Sequence, residues 1–118
     1  MKISTITELL DAKIVCGEEF SGKHVYSACG SDMMSDVLAY VKDQAVLLTG
    51  LVNTQVVRTA MMMDMVCIVF VRNKKPTEEM IELARDHGLV LITSEKRMYD
   101  ACGILFKAGL TGNGETNE

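Results

Sequence analysis

The stretch Thr49-Gly50-Leu51-Val52-Asn53-Thr54-Gln55 gathers a hydroxyl, a glycine and three further hydrogen-bonding side chains. At a helix start, such groups can grip a phosphate or a nucleotide edge, because the first helical N–H groups have no partner within the helix. The plainer reading is a cap in which Asn53 satisfies those amides itself. Gly30-Ser31-Asp32 forms a second polar cluster, and Arg72 with Lys74 and Lys75 a third. A basic run could meet an anion, although solvated basic loops are commonplace. Ser31 followed by Asp32 reads as a cap and a first-turn acid, not as a nucleophile with its base. The candidate ligand-binding residues are therefore Ser31, Asp32, Thr49, Gly50, Asn53, Thr54, Gln55 and Arg72. No residue is assigned a catalytic role.

The patterns that would carry catalysis are missing. The sequence has no G-x-x-x-x-G-K-[ST] phosphate loop, no G-x-G-x-x-G turn and no G-x-S-x-G elbow. His24 and His87 lie far apart in the chain, and His87 reads as a helix C-terminal residue favoured by the dipole. Cys16, Cys29, Cys67 and Cys102 make no C-x-x-C pair. They read as buried thiols, so neither a metal nor a cofactor is expected.

The net charge of −4 and the 5% aromatic content argue against a nucleic-acid partner, which normally needs a basic footprint or stacking rings. No apolar run reaches the roughly 18 residues of a membrane span. The start, MKISTITELL, lacks the continuous apolar region of a secretory signal. A cytoplasmic protein is expected.

The elements that must position the polar clusters follow from the apolar pattern. Thr5-Ile6-Thr7-Glu8 has the form of a capping box, with Ile6, Leu9 and Leu10 on one face of a short helix. Lys13–Cys16 reads as a short strand closed by Gly17. Strands are expected near residues 25–29, 45–49, 66–71 and 89–92. Between them lie helical stretches carrying Met34, Val37, Leu38 and Val41; then residues 53–63; then Met80, Ile81 and Ala84 behind Pro76-Thr77-Glu78-Glu79. His87-Gly88 closes that third stretch, and Ser94 is expected to cap a last helix running to about Ala108.

The strands are continuous apolar runs, which implies burial on both faces. Alternation of such strands with helices predicts an α/β single domain with a mainly parallel sheet and flanking helices. Residues 1–23 are expected to pack on a main domain of residues 24–110, and residues 111–118, polar throughout, to form a disordered tail. In such sheets ligands gather beyond the carboxyl ends of the strands. That rule brings Gly30–Asp32, Thr49–Gln55, Arg72–Pro76 and Thr93–Glu95 to one rim.

Nine methionines are present, with Met61, Met62, Met63 and Met65 clustered. A consecutive triplet spans about 300° of a helix, so one side chain must point outward or into a partner. A homodimer using Met61, Met62, Met63 and Met65 is expected, in preference to a soft-metal site.

The segment CIVFVRNKKPTEEMIELARDHGLVLIT, Cys67–Thr93, resembles the N-terminal domain of HPr kinase/phosphorylase in its order of strand, basic turn, Pro-opened helix and strand. VLLTGLVNTQVVRTA, Val46–Ala60, resembles the strand, Thr-Gly and Gln-helix unit of DRTGG domains. Gly50 and Gln55 are the positions that match. Leu51 and Val52 depart from the Asp-Arg common in related domains, and no contiguous DRTGG string occurs. The resemblance, over roughly residues 24–110, implies a stand-alone regulatory or scaffolding module rather than an enzyme, since the family's catalysis lies in other domains. The alternative is a small-ligand sensor for a nucleotide or phosphometabolite at the strand-end loops. The resemblance also admits a redox-enzyme partner protein.

Overall fold

A computed structural model describes residues 1–40 and 44–115. Its centre is a five-stranded sheet of β1 (Lys13–Cys16), β2 (Ser27–Gly30), β3 (Ala45–Thr49), β4 (Cys67–Phe70) and β5 (Val90–Thr93). The order is β1-β5-β4-β3-β2. The neighbours β2 to β5 are parallel, while β1 pairs antiparallel with β5 and has an irregularity between Ile14 and Cys16. The fold is thus α/β with a mostly parallel sheet, as the doubly apolar strands require. Every residue of β3, β4 and β5 is buried.

Because β2 to β5 are neighbours in chain order, their connecting helices gather on one face. They are α2 (Met34–Tyr40), α3 (Thr54–Met62) and α4 (Glu78–Asp86). Val37, Val56, Val57, Ala60, Met80 and Ala84 pack there against Leu47, Ile68, Phe70 and Leu91. The opposite face would be bare without the two chain ends. It is covered by α1 (Ile3–Leu9) and α5 (Met98–Lys107), which bring Ile3, Ile6, Leu10, Ala101 and Leu105 onto Val46, Val69 and Ile92.

Several local expectations need correction. The first helix begins at Ile3 with Lys2 as an N-cap that makes no side-chain bond, so Thr5 is interior and forms no capping box. Its N-terminus is held instead by backbone bonds from Ile3 and Ser4 to the carbonyls of Lys23 and Ser21. Leu9 is exposed and Ile3 takes its place inward. The second strand starts at Ser27 rather than near residue 25; His24 lies outside it, in an isolated bridge to Lys2.

In α2, Val37 is buried and Leu38 exposed, while Val41 lies outside the described residues. Within the Pro76–Glu79 opening of α4, Thr77 is the cap: its hydroxyl accepts from the Met80 amide. Ser94 does not cap α5, whose N-cap is Arg97; the Ser94 hydroxyl donates to the Leu10 carbonyl and so ties the sheet to α1. Finally, the polar tail is structured as far as residue 115. Leu110–Thr111 (β6) pairs antiparallel with Gly114–Glu115 (β7), and the Thr111 hydroxyl donates to the Gly114 carbonyl. The expected tail residues 116–118 lie outside the described residues.

Candidate ligand-binding site

Parallel pairing of β2 to β5 puts Gly30, Thr49, Phe70 and Thr93 at one end of the sheet, so the loops beyond them share a rim. Ser31 continues the β2–β3 ladder by donating its amide to the Leu48 carbonyl. Its hydroxyl then accepts from the Met33 amide at 2.9 Å, which fixes the turn into α2. That turn aims Asp32 across the end of β3. One carboxylate oxygen, Oδ1, accepts from the Thr49 hydroxyl at 3.0 Å and from the Gly50 amide at 2.7 Å. Thr49 is fully buried, and its oxygen also accepts from the Leu51 amide, so the hydroxyl is spoken for on both sides.

Arg72 completes this cluster from β4. Arg72 and Asn73 both adopt left-handed backbone, with φ of 57° and 58°. A consecutive non-glycine pair of this kind is held only where its surroundings fix it. Here the Arg72 amide donates to the Lys96 carbonyl at 2.7 Å, the Asn73 amide to Ser94 at 2.8 Å, and the Thr93 hydroxyl to Lys74. These bonds stitch together the loops after β4 and β5. The helices that follow, α4 and α5, go to opposite faces, which is where open sheets usually leave a crevice. Here the stitching ties the two loops across that point.

The Arg72 side chain instead lies back over Gly50, where a Cβ would collide with the guanidinium. Its Nη2 stands 3.8 Å from Asp32 Oδ2, with both side chains about half exposed. At that exposure the pairing contributes at most about 1 kcal/mol, so a stronger anion could draw the arginine away.

Five of the eight candidate residues therefore meet: Ser31, Asp32, Thr49, Gly50 and Arg72. The other three serve α3. Asn53 Oδ1 accepts from the Val56 amide, Thr54 accepts from Arg58, and Gln55 donates to Thr59. The capping reading holds for them. Beside the cluster, a cavity of about 340 Å³ is lined by Asp11, Glu95, Lys96, Arg97 and Asp100.

The opposite end of the sheet holds a cavity that the sequence did not suggest. It has a volume of about 680 Å³ and is lined by Lys23, His24, Tyr26, Gln44, Asp64, Met65 and His87, among others. The two histidines, distant in sequence, thus face one space. The available signal was topological: residues just before parallel strands must share an end. The His87 ring bonds the Leu83 carbonyl through Nδ1, and the His24 and Tyr26 rings lie 4.8 Å apart.

Of the methionines, Met65 is buried in the chain's own core and Met61 and Met63 pack against it; Met62 alone of the four is strongly exposed, at 69%. Burial raises the pKa of all four cysteine thiols, which stay protonated at neutral pH and are poor nucleophiles. Among the described residues no group of His, Cys, Asp and Glu is arranged to hold a metal.

The DRTGG domain family matches residues 5–108, most of the chain. The chain belongs to the DRTGG domain family. Its fold is similar to a crystal structure of the CBS and DRTGG domains of the regulatory region of Clostridium perfringens pyrophosphatase, complexed with the activator diadenosine tetraphosphate. The TM-score is 0.71 at 17% identity, over 98% of this chain and 50% of the other. This DRTGG chain thus spans half the length of that neighbour, and the likeness is one of fold. No curated protein sequence matches it. Among the described residues, no helix is long and apolar enough to cross a membrane.

Proposed function

We propose that this DRTGG domain is a non-enzymatic regulatory module that acts as a homodimer and senses a nucleotide or phosphometabolite at the carboxyl ends of its strands. The observation that carries the reading is the Arg72 guanidinium, lying over Gly50 on a left-handed turn and only weakly paired with Asp32. An incoming phosphate would replace one exposed carboxylate partner of Arg72 with a bidentate one. Asp32 would then keep its bonds from Thr49 and Gly50, or offer a carboxylate to a ribose hydroxyl. The regulatory region of the pyrophosphatase, with its nucleotide activator, supports this reading by analogy of fold. A cytoplasmic setting rests on the hydropathy pattern of the sequence, while a closer kinship with the HPr kinase/phosphorylase N-terminal domain and a redox-enzyme partner rest on the sequence resemblance and stand with it.

The test is thermal unfolding with diadenosine tetraphosphate, AMP, ATP and inorganic phosphate. A ligand at 100 times its dissociation constant stabilises by about 2.7 kcal/mol. We expect at least one nucleotide to raise the melting temperature, Arg72→Ala to abolish the rise, and the nucleotide to be recovered unchanged. No shift with any of the four, or a shift of full size in Arg72→Ala, defeats the proposal.

A further inference from the structure

The outer face of α5 has a composition that nothing inside the chain explains. Tyr99 is 88% exposed and Phe106 66%. One turn from each, in the middle of the helix, stands Gly103, also exposed. Glycine in a helix interior costs about 1 kcal/mol relative to alanine. At most sites such a glycine answers a close neighbour, yet a Cβ on Gly103 would meet no atom of the chain. Asp100 and Lys107, in the first and last turns, are exposed on the same side. At 3.6 residues per turn, Phe106, Tyr99, Gly103, Lys107 and Asp100 follow one another across an arc of roughly 120°, with Gly103 at its middle.

That arrangement is complementary to itself. A two-fold axis beside Gly103 and perpendicular to α5 sets two copies of the helix antiparallel. Each residue before Gly103 then faces the partner's residue on the same side of the seam, within one residue of the same distance after it. Tyr99 comes opposite Phe106 and Asp100 opposite Lys107, each pair on its own side of the seam. The two glycines meet at the centre, where the missing side chains let the backbones approach.

We propose that α5 is the homodimer interface of this domain, and that its occupant is a second copy of the chain. The aromatic pairs supply apolar area, the Asp100–Lys107 pairs fix the antiparallel direction, and Gly103 sets the spacing. This places the interface away from the Met61–Met65 segment, where Met62 alone is strongly exposed. It rests on the homodimer part of the reading above and is independent of the ligand part.

The experiment is light scattering behind a sizing column over a concentration series. The wild type should reach twice the 13.0 kDa chain mass. Gly103→Leu should weaken the dimer at least tenfold without lowering the melting temperature of the monomer, since the site has room and leucine favours helix. Asp100→Lys alone and Lys107→Asp alone should each weaken it. Mixing those two variants should restore it, because two basic side chains of one copy then face two acidic ones of the other. A wild type that stays at 13.0 kDa overturns this proposal and the homodimer together. A dimer indifferent to Gly103→Leu and to the charge exchange overturns only the placement on α5.

Discussion

Cys67 lies on β4 with no exposure, and burial pushes its thiol far above the ordinary value of 9.0. The other three thiols shift the same way for the same cause. The consequence for stability has a definite sign. Below pH 9 both folded and unfolded thiols are protonated, and the difference contributes nothing. Above it the unfolded chain loses its protons while the folded one keeps them, so stability falls as pH rises, by up to about 1.4 kcal/mol per pH unit for each such thiol. Urea unfolding at pH 8, 9.5 and 10.5 should show this fall. Cys67→Ala should be about 1 kcal/mol less stable at pH 8 yet lose less between pH 8 and 10.5; parallel curves for the two proteins would contradict the assignment.

Single residues differ in how far the sequence exposes their roles. Asn53 as a cap is legible because its partner, the Val56 amide, is three residues on. Asp32 is legible as a polar loop residue only. Its partners Thr49 and Gly50 reach it through the pairing of Gly30 with Leu48, a register that no local pattern encodes.

Elements are more legible than their ends. Continuous apolar runs identified β3, β4 and β5, because a strand covered on both faces cannot carry polar alternation, whereas the edge strand β2, with Ser27 and Gly30 at its ends, is less sharply marked. The misplaced caps at Thr5 and Ser94 share one cause: long-range bonds, from Ile3 to Lys23 and from Ser94 to Leu10, displaced the local capping pattern. One punctuation mark was local and correct. Gly17 closes β1 with φ of 87°, and a Cβ there would press on the Val90 side chain at 3.1 Å and its Cα at 3.2 Å. Gly17→Ala should therefore cost about 1–3 kcal/mol, since strain and crowding act together. Gly22→Ala is the control: its Cβ meets nothing within 4 Å and its φ is not positive, so its effect should be within about 0.5 kcal/mol of zero. Equal denaturation midpoints for the two variants would show that the β1–β5 junction yields more readily than its geometry indicates.

At the scale of the molecule, the order β5-β4-β3-β2 leaves one face of the sheet with no crossover helix of its own. The chain ends fill that face; the apolar pattern of Ile6 and Leu10 announces that the first helix packs, but no local signal says which face of the sheet it covers. Ile3, Ile6 and Leu10 are fully buried against Val69, Ile92 and Leu105. Each such side chain contributes about 1.5–3 kcal/mol relative to exposure, an amount comparable in sum with the whole stability of a small domain. The segment cannot then behave as an appendage that comes away while the rest stays folded. Thermal and urea unfolding should show one transition, with coincident curves from far-ultraviolet dichroism and from near-ultraviolet tyrosine signals. Hydrogen exchange should protect the α1 amides that bond within the helix, such as Ile6 and Leu10, to the same free energy as those of β4. Ile6→Ala should lower that shared value by about 2–5 kcal/mol at both places at once. If α1 instead exchanged through a separate, cheaper opening, with β4 unaffected by Ile6→Ala, the N-terminal segment would be a detachable cover. The opposite face of the sheet would then have to stand on α5 alone.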